Sequence, residues 1–221
     1  MRNTRILIAT IALLAAAPAV HALPCAGFTD VDSTSPFCPN VEWVKNRAIT
    51  TGCTSATQYC PADPVSRLAM AAFLNRFGTA MTPVKLGVDA TTGAVDLDLP
   101  NNVVCQTANY AVAGFPRRAY VDLSFTATAT ADVDFAADLV QSTDNGTNWT
   151  AMTSQGNRGS VSANHWAGLG NLAQVDVDVG QTVRYGVRLS RDGLAGTADL
   201  SDSRCKLQAV IFSRDGSASP Y

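Results

Sequence analysis

Few side chains in this sequence can move a proton or hold a metal near neutral pH. There are two histidines, and His21 lies in an apolar leader, which leaves His165; Glu42 is the single glutamate. A zinc site with two histidines and a glycosidase built on two glutamates are therefore excluded beyond residue 22. A nucleophilic triad would have to use His165, with Ser160, Ser162 and Asp176 available nearby in the sequence. No Gly-x-Ser-x-Gly elbow presents any serine. We expect no catalysis, and read His165-Trp166 as an exposed pair in a loop that binds a sugar or a partner, with ordinary packing as the plain alternative.

Aspartate is the commoner acid. Asp132/Asp134 and Asp176/Asp178 each lie two residues apart and so share one face of a strand. With Asp144, Asp199 and Asp202 they could offer oxygen ligands to calcium. The plainer reading is a solvated outer face that blocks edge pairing. No metal and no cofactor is expected, calcium being the one cation these oxygens suit. Paired aspartates also define the runner-up function, a secreted hydrolase acting on polysaccharide.

Residues 1–22 combine Arg2 and Arg5, an apolar run from Ile6 to Val20 and the segment Val20-His21-Ala22, the three parts of a secretory signal peptide. The run is short for a membrane span, which needs about 20 apolar residues, so no span is expected. Its removal takes Lys+Arg from 16 to 14 against 18 acids and the net charge from −2 to −4. Without a basic run, nucleic acid is a poor partner. Behind such a signal, Cys25, Cys38, Cys53, Cys60, Cys105 and Cys205 imply disulfides. Six cysteines allow 15 pairings; the simplest set is Cys25–Cys38, Cys53–Cys60 and Cys105–Cys205. The gap between Cys53 and Cys60 is wider than the two to four residues usual in zinc sites.

Residues 23–82 read as a helical module. Asp63-Pro64 offers a cap and a first-turn proline. Val65, Leu68, Ala69, Ala72, Phe73 and Phe77 then follow a 3.6-residue rhythm that predicts one buried face, and Gly78 is the expected stop. Pro39 to Arg47 fits a shorter helix, with Val41, Val44 and Ala48 on one side. A unit of this size needs staples to stand.

These residues also carry a resemblance. Phe28-Thr29-Asp30-Val31, Trp43, Ile49, Gly52, Tyr59-Cys60-Pro61 and Val65-Ser66-Arg67 leading into Met70-Ala71-Ala72-Phe73-Leu74 resemble a single S-layer homology repeat. The resemblance implies a bacterial, exported protein and a helical fold. Its grooves bind cell-wall polysaccharide through a Thr-Arg-Ala-Glu motif at the start of the second long helix. Here that motif reads Ser66-Arg67-Leu68-Ala69, so Arg67 is kept and the acid is not. Ser66 and Arg67 are the implied carbohydrate contacts, with Trp43 as a stacking platform. The alternatives are an arginine paired with Asp63 and a tryptophan in the core. Three repeats usually complete the grooves, which a homo-oligomer of single repeats could restore.

Beyond Met81-Thr82-Pro83, alternation replaces the helical rhythm. Ala119–Phe125, Asp132–Val140, Val175–Val179, Val183–Leu189 and Leu207–Phe212 alternate between turn residues, which predicts antiparallel strands with one buried face. We expect about eight strands in a two-sheet β-sandwich of jelly-roll type over residues 101–221, with 83–100 a linker or the first strand. The fold class is therefore α+β. Ser142-Thr143-Asp144-Asn145-Gly146-Thr147-Asn148-Trp149 resembles the Asp-box hairpin of sialidases. Asp144 would bond turn amides, Gly146 supply φ > 0 and Trp149 pack below the turn. One copy makes a hairpin and no propeller.

The function expected is that of a secreted, non-catalytic cell-surface protein. Its helical module would associate with envelope polysaccharide and carry a sandwich that binds a glycan or a protein. The alternatives are the hydrolase above and a self-assembling structural subunit.

Overall fold

The two ends of the chain solve different packing problems. The computed structural model describes residues 23–100, 102–112, 114–152, 157–193 and 199–214. The signal expected over residues 1–22 lies outside them.

The N-terminal part is small and stapled. Strands β1 (Pro24–Cys25) and β2 (Phe28–Asp32) form a hairpin, followed by helices α1 (Cys38–Asn46) and α2 (Arg67–Met81). Two separate clusters hold it. Cys25, Phe28, Val31, Cys38 and Val41 form one. Ile49 and Ala80 form the other, with Phe115 reaching in from the C-terminal part. Asp30 ties the hairpin to the second cysteine loop by accepting the amides of Tyr59 at 2.8 Å and Cys60 at 2.7 Å. Cys25–Cys38 and Cys53–Cys60 are both bonded, with Cα separations of 5.7 and 6.0 Å.

Helix α2 departs from the sequence expectation in three ways. It begins after Ser66, whose backbone is extended and whose Oγ accepts from the Ala69 amide at 3.0 Å. Asp63 instead donates its amide to the Cys60 carbonyl in a turn, at 3.1 Å. Both residue types cap well, and the turn after Cys60 consumes the first. Gly78 does not stop the helix, which runs to Met81 because no αL turn forms there. The expected apolar face is also not buried. Leu68 is 85% exposed and Val65 64%, and Ala80 is the helix's one buried residue. The module is too thin to cover more than the edge marked by Phe73 and Ala80.

The remaining strands are β3 (Val84–Thr91), β4 (Val103–Val104), β5 (Tyr110–Ala111), β6 (Arg117–Ala129), β7 (Val133–Ser142), β8 (Thr150–Ala151), β9 (Asn157–Val161), β10 (Trp166–Val177), β11 (Thr182–Arg191) and β12 (Leu200–Ser213). They form two antiparallel sheets. One runs β10-β6-β12-β3; the other runs β4-β11-β7-β8, with β5 on β11 and β9 on β7. The first sandwich strand is therefore β3, right after α2.

The central strands β6 and β12 bury alternate residues, and β3 and β10 alternate half-buried with exposed positions along most of their length, as period-2 geometry requires. Val121, Leu123 and Phe125 of β6 and Leu207, Ala209 and Ile211 of β12 meet Phe135, Leu139, Tyr185 and Leu189 from the other sheet. Phe125 and Phe135 touch edge to face, with centroids 5.8 Å apart. Cys105–Cys205 closes a 100-residue loop. It joins the residue after β4 to β12, so it ties sheet to sheet, where the sequence suggested first strand to last.

Candidate ligand-binding face

The outer face of the β10-β6-β12-β3 sheet collects what the strands do not bury. Register places Trp166, Gly168, Gly170 and Leu172 of β10 opposite Thr128, Thr126, Ser124 and Asp122 of β6. Beyond β6, Arg204 and Lys206 of β12 stand opposite Thr126 and Ser124, with Thr91 and Asp89 of β3 outside them. The glycines matter here. A Cβ on Gly168 would meet only the Thr126 methyl at 3.5 Å and the Phe125 carbonyl, and one on Gly170 only the Leu123 carbonyl at 3.5 Å. Two consecutive outward positions of β10 therefore lack side chains, and a bare trough opens between Trp166 and Leu172.

Trp166 stands at the end of this trough, 51% exposed. The Arg204 guanidinium lies 5.3 Å from its ring centroid. This cation–π contact holds the indole and leaves much of the ring to solvent. Thr126, Trp166 and Arg204 line a hollow of about 330 Å³. At the far end of the sheet Tyr120 and Phe212 form a second exposed aromatic pair, centroids 5.8 Å apart. Eight residues of β6 separate Tyr120 from Thr128, the partner of Trp166, so the two platforms are about 27 Å apart at the usual rise. Such a face can stack planar or ring-shaped apolar surface and hydrogen-bond polar groups between.

Trp166 is where the sequence pointed; His165 is not its chemical partner. His165 is exposed, and its Nδ1 lies 2.9 Å from the Ala163 carbonyl in the turn before β10. Among the described residues no carboxylate orients it. Ser160 and Ser162 are exposed, and Asp176 sits at the other end of β10, bound to Arg118 at 2.7 Å and to Arg214 at 2.8 Å. The residues Ser124, Thr126, Arg204 and Lys206 were missed. The pattern Trp-x-Gly-x-Gly-x-Leu in the outward register of β10 is the signal that could have found them.

The residues of the S-layer-type groove are not brought together. The Ser66 hydroxyl is spent on the helix cap. Arg67 is exposed and makes no ion pair with Asp63 or any other described residue. Trp43 packs on Phe77, centroids 6.2 Å apart, with Arg47 stacked over its ring at 4.2 Å. Phe77 is 11 residues along α2 from Ser66, about 16 Å at the helical rise, so Trp43 is a wall of the small core and not a free platform beside Arg67.

The aspartates are engaged by protein groups, and Arg214 bridges the Asp176/Asp178 pair. Asp132 accepts the Ala163 amide at 2.9 Å, and Asp178 binds Arg214 at 2.9 Å. Among the described residues, Asp96, Asp98 and Asp199 come closest to a cation site, and all three are exposed. The Arg191 guanidinium already binds Asp98 at 2.8 Å and Asp199 at 3.0 Å, so a cationic side chain already occupies these carboxylates.

The Asp-box resemblance has a geometric basis. Asp144 accepts from the amides of Asn148 at 2.8 Å and Thr147 at 3.1 Å, and from Ser142 Oγ at 2.7 Å. Those bonds, the Asn148 amide first, hold its carboxyl down to about 2. Gly146 takes φ +89°. Trp149 donates its indole N–H to the Gly146 carbonyl at 3.0 Å and covers Gly186 of β11, where a Cβ would lie 3.1 Å from the ring.

No protein-family model matches the sequence, and no curated protein matches it. Among solved structures, the chain is similar to a structure of infectious bursal disease virus, Gx strain, at 11% identity and TM-score 0.38, over 61% of this chain and 33% of that one. It is also similar to the Gt strain structure at 11% identity and TM-score 0.36, over 62% and 34%. A third is the cryo-EM virus-like particle of the extra small virus of the prawn Macrobrachium rosenbergii, at 12% identity and TM-score 0.24, over 72% and 89%. The chain spans about a third of the length of the first two. At TM-scores this low, neither fold kinship nor function follows.

Proposed function

We propose that the chain is an exported, non-catalytic surface protein whose β10-β6-β12-β3 sheet binds an extended glycan. The sandwich is a jelly roll, and the strand order of its two sheets supports that reading. The carrying observation is the trough beside Trp166. An exposed indole, two strand positions without side chains, and Thr126, Ser124, Arg204 and Lys206 around them suit the apolar ring face and hydroxyl rim of a sugar. Three disulfides suit an oxidising compartment, which supports export. The stapled module is an S-layer-homology-like unit that associates with envelope polysaccharide, and exposed Arg67 is the contact it retains.

Affinity electrophoresis against a panel of neutral and acidic polysaccharides tests the face. Retardation by at least one polymer, lost in Trp166→Ala and in Gly170→Leu with the melting temperature unchanged, is expected. Equal mobility of wild type and both variants in every gel would reject it. Envelope sedimentation of wild type and Arg67→Ala tests the module, since undiminished pelleting of the variant removes Arg67 from that role.

One observation favours a second reading, self-assembly. Met70, Leu74, Phe77 and Met81 are all exposed on α2 at alternating spacings of four, three and four. That is the seam a second helix of the same kind fits, so the occupant is another copy of this chain. Concentration-dependent mass in sedimentation equilibrium, abolished by Leu74→Lys, is the expected result.

A further inference from the structure

We infer that the groove between α2 and the sandwich is a binding site for a monoanionic carboxylate with an apolar body. The reason lies in Arg117, the first residue of β6. Its side chain points to the buried side of the strand and is 6% exposed. Nε and Nη1 are enclosed and have no hydrogen-bond partner. The guanidinium rests on the Phe115 ring at 4.0 Å, and no carboxylate pairs with it among the described residues. A buried cation without a counter-charge is costly, and proteins keep one where something else supplies the anion. Burial also pushes this guanidinium below its ordinary value, a strain an anion would relieve.

Arg117 opens onto a groove of about 540 Å³ whose other walls include Leu74, Asn75, Thr79, Thr82 and Val84. That volume suits a small ligand. The lining residues carry one positive charge and no negative one, which matches a single negative charge. The Thr79 and Thr82 hydroxyls already donate to the carbonyls of Asn75 at 3.0 Å and Gly78 at 2.7 Å. They offer only lone pairs to the groove, and the negative end of α2 lies beside them. Both repel an anion in proportion to its charge, so a phosphate dianion is disfavoured more than a carboxylate, whose single charge Arg117 matches. Leu74, 58% exposed, and Val84 face the same space and suit an alkyl or aryl body. The site is separate from the trough beside Trp166, and neither depends on the other.

Octanoate is the test ligand, with 1-octanol and inorganic phosphate as controls, in calorimetric titrations of the disulfide-intact chain. Octanoate should bind, and each control should bind at least about 10-fold more weakly, the range a charge-assisted hydrogen bond spans. Arg117→Met should lose octanoate by about 10- to 100-fold without a lower melting temperature, because an apolar chain replaces an unpaired buried charge. A measurement on the wild type needs no variant. The Arg117 Nε–H resonance should shift on adding octanoate and stay still on adding octanol. Unaltered octanoate affinity in Arg117→Met, phosphate binding as tight as octanoate, or an unmoved Arg117 resonance at saturation would each overturn the assignment.

Discussion

The stapled module and the sandwich reach stability by opposite means. The sandwich interleaves fully buried side chains from two sheets into one continuous core and uses a single disulfide between the sheets. The module has two small clusters, one of which needs Phe115 from the sandwich to close it. Its second helix leaves most of its apolar side chains in solvent. Burial scales with size, so a short segment wound around two cysteine loops has little to bury. Covalent closure lowers the entropy of its unfolded state instead. The lesson is that hydrophobic periodicity in a small oxidised unit does not guarantee a buried face.

The largest expected effect comes from opening the module's staples. Cys25→Ala/Cys38→Ala removes a bond that in small secreted domains is worth about 2–5 kcal/mol. Hydrogen exchange should show residues 24–46 unprotected while β6, β7, β11 and β12 keep their protection. Equal loss in both regions would mean that they fold as one unit through Phe115, and the contrast drawn above would fail. On the other side, Phe135→Ala should cost the sandwich about 3–5 kcal/mol, the usual range for a buried aromatic. Urea unfolding followed by Trp149 fluorescence, with Trp43 and Trp166 replaced by Phe, would measure it. The Cys25–Cys38 loop should be indifferent to that change.

Legibility differed between the regions for the same reason. In the sandwich, alternation in Ala119–Phe125, Val183–Leu189 and Leu207–Phe212 translates directly into buried Val121, Tyr185 and Ile211, because each strand has a sheet packed on one face. The three cysteine pairs were readable as the pairing that links near neighbours and leaves the distant two. In the module, the 3.6-residue rhythm of Val65 to Phe77 marked a helix correctly and most of its environment wrongly, since only the edge at Phe73, Phe77 and Ala80 is packed against. Asp63 was the cap the sequence suggested, and a tertiary detail, the turn after Cys60, engages it and leaves Ser66 to cap the helix. The trough was hidden for a different reason. Gly168 and Gly170 look like strand breakers until register sets them beside Thr126 and Ser124, and register is not written in one strand.

A smaller effect sharpens the comparison inside α2. Ser66→Ala removes the one side-chain cap of the helix and should cost about 1 kcal/mol. Because the helix is mostly exposed, the loss should appear as fraying of its first turn, read as faster amide exchange at Ala69 and Met70, with the sandwich transition unmoved. A shift in the sandwich transition would mean that α2 is coupled to the sheets more tightly than its exposure indicates.

The smallest effects are acid-dependent, and they occur in both regions by the same device. Asp144 in the sandwich hairpin and Asp30 in the module are each lowered chiefly by backbone amides, those of Asn148 and Tyr59 respectively. A carboxylate whose folded value lies below its unfolded one stabilises the fold above the unfolded value, and that stabilisation disappears as pH falls through the folded value. For Asp144 the window runs from 3.8 down to about 2. Asp144→Asn should therefore flatten the melting-temperature decline of the sandwich in that window, because asparagine cannot gain a proton. Asp30→Asn should flatten only the module's decline and leave the sandwich curve intact. Both side chains are solvent-exposed, so the amplitudes are small, and a two-probe experiment is needed. With Trp43 and Trp166 replaced by Phe, Trp149 fluorescence reports the hairpin, and Tyr59 exchange reports the module. If Asp30→Asn moved the Trp149 curve, the two loops would be linked through the Phe115 contact, and the molecule would be one cooperative unit despite its two styles of packing.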